Sequence, residues 1–87
     1  MKIVAKMVEM IAWFKTDGDI RPLKFRMCDE HSHTKVIKVD QIIATEKEKY
    51  AGKNMYLFKC QSEIEGELKR FEIKYEVETC KWVLYKI

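Results

Sequence analysis

From Phe71 to Val77 the chain alternates apolar and charged residues without a break, Phe-Glu-Ile-Lys-Tyr-Glu-Val. A second, mostly apolar run, Trp82 to Ile87, follows after a short polar break. Period-two alternation places successive side chains on opposite faces of an extended chain, so it predicts a strand with one buried and one solvated face. The same reading applies to Ile3–Phe14, to the stretch from Ile20 to Cys28, and to Met55–Ile64. Between these runs lie three polar breaks, each holding one glycine: Asp17-Gly18, Ala51-Gly52 and Glu65-Gly66. A glycine in such a break supplies the positive φ that tight hairpin turns require.

A hairpin turn fixes which residues face each other, so each turn is a test of the pattern. With Asp17-Gly18 at the tip, Ala12 opposes Leu23, Met10 opposes Phe25, Val8 opposes Met27, and Glu9 meets Arg26 on the other face. With Glu65-Gly66 at the tip, Cys60 meets Phe71, Phe58 meets Ile73, Tyr56 meets Tyr75, and Lys59 meets Glu72. A connection centred on Glu78-Thr79 pairs Tyr75 with Trp82, Ile73 with Leu84 and Glu76 with Lys81. All three give apolar pairs on one face and opposite charges on the other, and a slip of one residue would destroy both. The expectation is a first hairpin and a closing three-stranded meander, with Arg70, Glu72, Lys74 and Glu76 as an outward row that sets register and solubility.

The middle is less regular. Lys35–Ala44 begins as a strand with a phase shift near Asp40-Gln41 that a bulge would explain. Thr45–Tyr50 reads as strand, loop or one helical turn. Pro22 inside an apolar run marks an edge strand or a bulge. The predicted fold is all-β: a small antiparallel, strongly curved sheet or partly closed barrel of about six strands, of SH3-like or OB-like size. In it the terminal strands Ile3–Phe14 and Trp82–Ile87 are long and bent.

At 87 residues the chain has room for a single domain, residues 1–87, and its apolar share of 47% fills a thin core. The formal charge is +3, with the basic excess in residues 1–62, a weak tilt towards anionic partners. Cys28, Cys60 and Cys80 are an odd count without CxxC spacing, which argues against a disulfide framework or a zinc knuckle and for a reducing cytosol. The longest unbroken apolar stretch near the start, Met10 to Phe14, is too short for a leader or a membrane span.

The runs Gly18-Asp19-Ile20-Arg21-Pro22-Leu23-Lys24-Phe25-Arg26, Phe71–Glu76 and Cys80–Ile87 resemble those of small uncharacterised bacterial all-β proteins. The resemblance implies a bacterial, cytoplasmic protein and brings no catalytic motif and no site residue.

Candidate chemistry is sparse. The densest cluster is Cys28-Asp29-Glu30-His31-Ser32-His33, whose Cys28, His31 and His33 are of metal-ligand type, but no second ligand group stands at matching spacing, so a solvated loop is preferred. There is no phosphate cradle, no carboxylate pair on an apolar cleft and no nucleophile with a base and an orienting acid, so the expectation is a protein that is not an enzyme and needs no cofactor. The leading reading is a cytosolic binding module for a protein partner or a second copy of itself. It uses Trp13, Pro22 and Lys24 on the outer face of the first hairpin. The alternative is a single-stranded nucleic-acid-binding barrel using Arg21, Lys24, Arg26, Lys35 and Lys38 with surface aromatics.

Overall fold

A computed structural model describes residues 1–28 and 31–87. Seven strands follow one another: β1 (Ile3–Phe14), β2 (Ile20–Cys28), β3 (Thr34–Lys38), β4 (Gln41–Tyr50), β5 (Lys53–Ile64), β6 (Glu67–Glu76) and β7 (Lys81–Lys86). They form one antiparallel sheet in the order β3-β2-β1-β7-β6-β5-β4. The outermost strands of that order, β3 and β4, are consecutive in the chain and joined only by Val39 and Asp40. The sheet must therefore curl until its two edges approach. A flat seven-stranded sheet would be about 29 Å wide and very thin, whereas the molecule measures 33 × 23 × 22 Å. It is a half-barrel.

The joint is held by specific bonds. Val39 N–H donates to the Leu23 carbonyl of β2 at 2.9 Å, and Asp40 N–H donates to the Ser62 hydroxyl of β5 at 2.8 Å. The Asp40 carboxylate in turn accepts from Glu63 N–H at 2.9 Å. Ser62 is fully buried, and these bonds explain a polar side chain there. The phase shift read near Asp40-Gln41 is thus a corner, at which the chain leaves β2 and joins β5. The corner divides the segment Lys35–Ala44 between β3 and β4, which brings the count to seven where about six were expected, and Thr45–Tyr50 continues β4 as strand.

β1 serves two parts of the curl, as its length and two apolar faces suggested. Residues 3–8 pair with β7 and residues 9–14 with β2. The change of partner falls between Val8 and Glu9, and the pairing with β7 carries a bulge between Ile3 and Lys6, where Ala5 takes φ +44°. β7 differs from expectation: it has six residues and lies between β1 and β6.

The meander has the register read from its turns, including Cys60–Phe71, Tyr56–Tyr75, Lys59–Glu72, Tyr75–Trp82 and Glu76–Lys81. In the first hairpin Met10–Phe25 and Glu9–Arg26 are as expected, but Ala12 opposes Pro22 rather than Leu23, and Val8 opposes Trp82 of β7 rather than Met27. The reason lies in the turn. Gly18 N–H donates to the Lys15 carbonyl (3.0 Å) and Lys15 N–H to that of Asp19 (2.8 Å), a three-residue loop with glycine at φ +95°. That loop shifts the register by one, and a bulge opposite Ile11–Ala12 shifts it back. The two irregularities cancel.

The concave face holds the core. Phe25, Ile37, Phe58, Cys60, Phe71, Ile73, Tyr75, Trp82 and Leu84 are buried together. Phe25 meets Phe71 edge-on at 5.8 Å between ring centroids, and Tyr75 lies 4.6 Å from Trp82. No helix among the described residues is long and apolar enough to cross a membrane.

Candidate partner-binding face

Residues paired across strands share a face, so the register alone builds the outside of β1, β2 and β3 row by row. One row is Val36–Arg26–Glu9, the next Lys38–Lys24–Ile11, and the third Arg21–Trp13. The bulge at Leu23 matters here: it lets Arg21 join Lys24 and Arg26 on one face although an odd number of positions separates them. Met7, opposite Val83, extends the surface along β1.

Four large apolar side chains stand open on this face: Val36 (58%), Ile11 (57%), Trp13 (54%) and Met7 (54%). Arg26 donates to Glu9 from Nε (3.1 Å) and Nη2 (2.9 Å), and the Lys15 ammonium lies 4.9 Å from the Trp13 ring. Lys24 and Lys38 are directly opposite each other, and among the described residues neither has a carboxylate within 4.0 Å. A shallow depression of ≈ 440 Å³ runs between Ile11, Lys24, Arg26 and Val36. The face can therefore bury apolar groups while presenting cations to an anionic partner.

The outside of β4–β7 is built differently. Leu57 also points away from the core, opposite Lys74 and Glu46, yet it is only 6% exposed. Lys74 and Glu48 form an ion pair (3.4 Å) across β5, and the Lys74 ammonium sits 3.8 Å from the Tyr85 ring. Lys59 pairs with Glu46 at 3.2 Å. Long charged side chains thus cover Leu57 beneath them, whereas Leu68, opposite Glu63 at the far end of the β5–β6 hairpin, is 70% exposed.

Of the residues expected at a protein-binding surface, Trp13 and Lys24 lie on the open face. Pro22 does not: it is fully buried opposite Ala12, because the bulge turns it to the core side. Of the basic set, Arg21, Lys24, Arg26 and Lys38 come together. Lys35 does not join them, because it alternates with Val36 and faces the other side, where its ammonium is 3.0 Å from Glu65 and holds that carboxyl below its usual range. The sequence reading missed Ile11 and Val36. The signal was present in the unbroken run Met10–Phe14, which must put apolar side chains on both faces of a strand.

Among the described residues the other candidate groups are not gathered into a reactive centre. His31 and His33 have ring centroids 6.2 Å apart and Cys28 is exposed; Asp29 and Glu30 of that cluster lie outside the described residues. Among the described residues no three His, Cys, Asp or Glu side chains gather as metal ligands. Burial pushes the Cys60 thiol up to about 12, the behaviour of a small core side chain rather than a nucleophile. Hydrogen bonding to Cys80, with burial, raises the Tyr75 hydroxyl to about 12 as well. No protein-family model, no curated protein and no solved structure matches this chain.

Proposed function

We propose that this protein is a small binding module whose working surface is the outer face of β1, β2 and β3, and that its partner is a protein surface carrying acidic and aliphatic groups. One contrast supports the reading: Leu57 is sealed by charged side chains on one half of the outer surface, while Ile11, Trp13, Val36 and Met7 stay open on the other. Exposed apolar clusters rimmed by charge on a small domain mark contact surfaces. The cations Arg21, Lys24 and Lys38 favour an acidic partner.

The identity of the open side chains favours protein over single-stranded nucleic acid. Bases stack on aromatic rings, and this face offers one, Trp13; the other three apolar groups are aliphatic and suit the packed centre of a protein interface. Three free cysteines fit a reducing compartment, and we place the protein in the bacterial cytoplasm.

The test is a titration followed by amide chemical shifts with two probes, an amphipathic helical peptide with leucines on one face flanked by glutamates, and an oligothymidylate. The peptide is expected to shift Ile11, Trp13, Lys24 and Val36. Preference for the oligonucleotide would replace this reading with the nucleic-acid one. Line broadening on that face with protein concentration alone would identify the partner as a second copy.

A further inference from the structure

The half-barrel has a seam. Among the described residues β4 pairs with β5 on one side and with no strand on the other, and the first residues of β2 pair only with β1. Between them opens a groove of ≈ 710 Å³. Its floor is apolar: Ile20, Ile42, Tyr56 and Phe58, which border the core. Its rim carries Lys15, Arg21 and Lys47.

We propose that this groove receives an extended segment of another protein, hydrogen-bonded along the free edge of β4, with apolar side chains at alternate positions towards the floor and acidic ones towards the rim. A free strand edge is a row of unpaired N–H and C=O groups that a further strand satisfies, and alternate side chains of that strand then point into and out of the groove. An eighth strand here would also cover Ile20, Ile42 and Tyr56, which are half-buried.

The charge of the segment follows from which groups remain unpaired. The acids of β4, Glu46 and Glu48, are engaged on the opposite face by Lys59 (3.2 Å) and Lys74 (3.4 Å). At the turn, Asp17 accepts from Asp19 N–H at 3.0 Å, while the Asp19 carboxylate remains at the groove's end. The lining therefore holds three cations against two carboxylates, Asp17 and Asp19, both confined to the turn, and the excess positive charge along the rim matches a partner strand carrying glutamate or aspartate.

A second copy of β4 is disfavoured in the registers centred on its charged run. Two-fold antiparallel pairing places residues of the same face opposite one another. Centred on Lys47, it sets Lys47 against its own copy and Glu46 against Glu48; centred on Glu48, it sets Lys47 against Lys49. Like charges directly opposite are destabilising. The run Glu46-Lys47-Glu48-Lys49 thus disfavours self-pairing in the registers centred on it and leaves hetero-pairing open.

The experiment uses the peptide (Val-Glu)₄, its (Val-Lys)₄ counterpart, and two forms of (Val-Glu)₄ methylated on alternate backbone nitrogens, odd or even. The readout is amide hydrogen exchange and chemical shift across residues 41–50. The proposal expects (Val-Glu)₄ to slow exchange at alternate β4 amides and to shift Ile42 and Tyr56. One methylation pattern, (Val-Lys)₄, and the Lys47→Glu variant are each expected to weaken binding about tenfold. Unchanged exchange along β4 at about 1 mM peptide overturns it. So does equal binding by both methylated forms, or a response confined to Ile11, Trp13 and Val36. Binding of the helical acidic peptide to the outer face is read at different residues, so either idea can fail without the other.

Discussion

Lys24 and Lys38 stand directly opposite each other across β2 and β3, with no carboxylate partner among the described residues. The next row along the same two strands carries Arg26, which does have an ion-pair partner, Glu9 on β1. A like-charged cross-strand pair opposes folding, so Lys38→Glu should stabilise the protein by about 0.2–1 kcal/mol in urea unfolding while weakening capture of an acidic partner. A loss of stability, or unchanged partner binding, would separate this pair from the proposed surface.

The corner at Asp40 should be sensitive to one hydroxyl. Ser62→Ala removes the acceptor of Asp40 N–H and leaves that donor in a part-buried site beside β5. The expected cost is about 1–3 kcal/mol in equilibrium unfolding, with faster exchange at Asp40 and Glu63. An effect below about 0.5 kcal/mol would mean that the β3–β4 joint does not depend on this bond.

Ala51 and Gly52 both have positive φ, +50° and +81°, in the turn between β4 and β5. Alanine pays for that conformation through its Cβ, whereas asparagine tolerates it and Asn-Gly is the favoured pair for such a turn. Ala51→Asn should therefore stabilise the fold by on the order of 1 kcal/mol, read as a higher urea midpoint at unchanged slope.

Glu65 and Cys60 act at opposite ends of the pH profile. The Glu65 carboxyl is held low chiefly by its hydrogen bond to Lys35, so its contribution is present above the ordinary glutamate range and is lost as pH falls through the lowered value. The Cys60 thiol is raised by burial from 9.0 to about 12, so folding keeps it neutral where the unfolded chain ionises it. Stability is then full below pH 9.0 and declines as pH rises towards about 12, by up to ~4 kcal/mol from this group. Urea midpoints measured across pH 8–12 should fall, and Cys60→Ala should reduce that fall, leaving the part that comes from the raised Tyr75 hydroxyl.

The closing meander was legible because its turns are tight and its strands regular, so one wrong step would have exposed every apolar pair at once. The first hairpin was legible only in part. Its three-residue loop and its bulge cancel in register beyond Leu23, and what remained hidden was the local twist that turns Pro22 inward and brings Arg21 beside Trp13. The corner at Val39–Asp40 was visible as a lost phase, but that phase cannot say whether the chain bulges within one pairing or changes partners. The open face was the least legible. The type of Ile11 and Val36 suits a core; for Ile11 the register that pairs Met10 with Phe25 already pointed outward, whereas for Val36 it took the burial of Ile37 to show which side was left uncovered.

The most direct test of the proposed surface uses Trp82→Phe, which removes the buried indole and leaves the exposed Trp13 as the sole tryptophan reporter. Titration with the acidic amphipathic peptide should move Trp13 emission to shorter wavelength as the ring leaves water, and the affinity should fall with added salt as the cations are screened. The Ile11→Ser change in the same background should reduce that affinity about tenfold or more. An emission maximum that stays at the water-exposed wavelength through saturating peptide, or an affinity indifferent to both salt and Ile11, would contradict the assignment of this face.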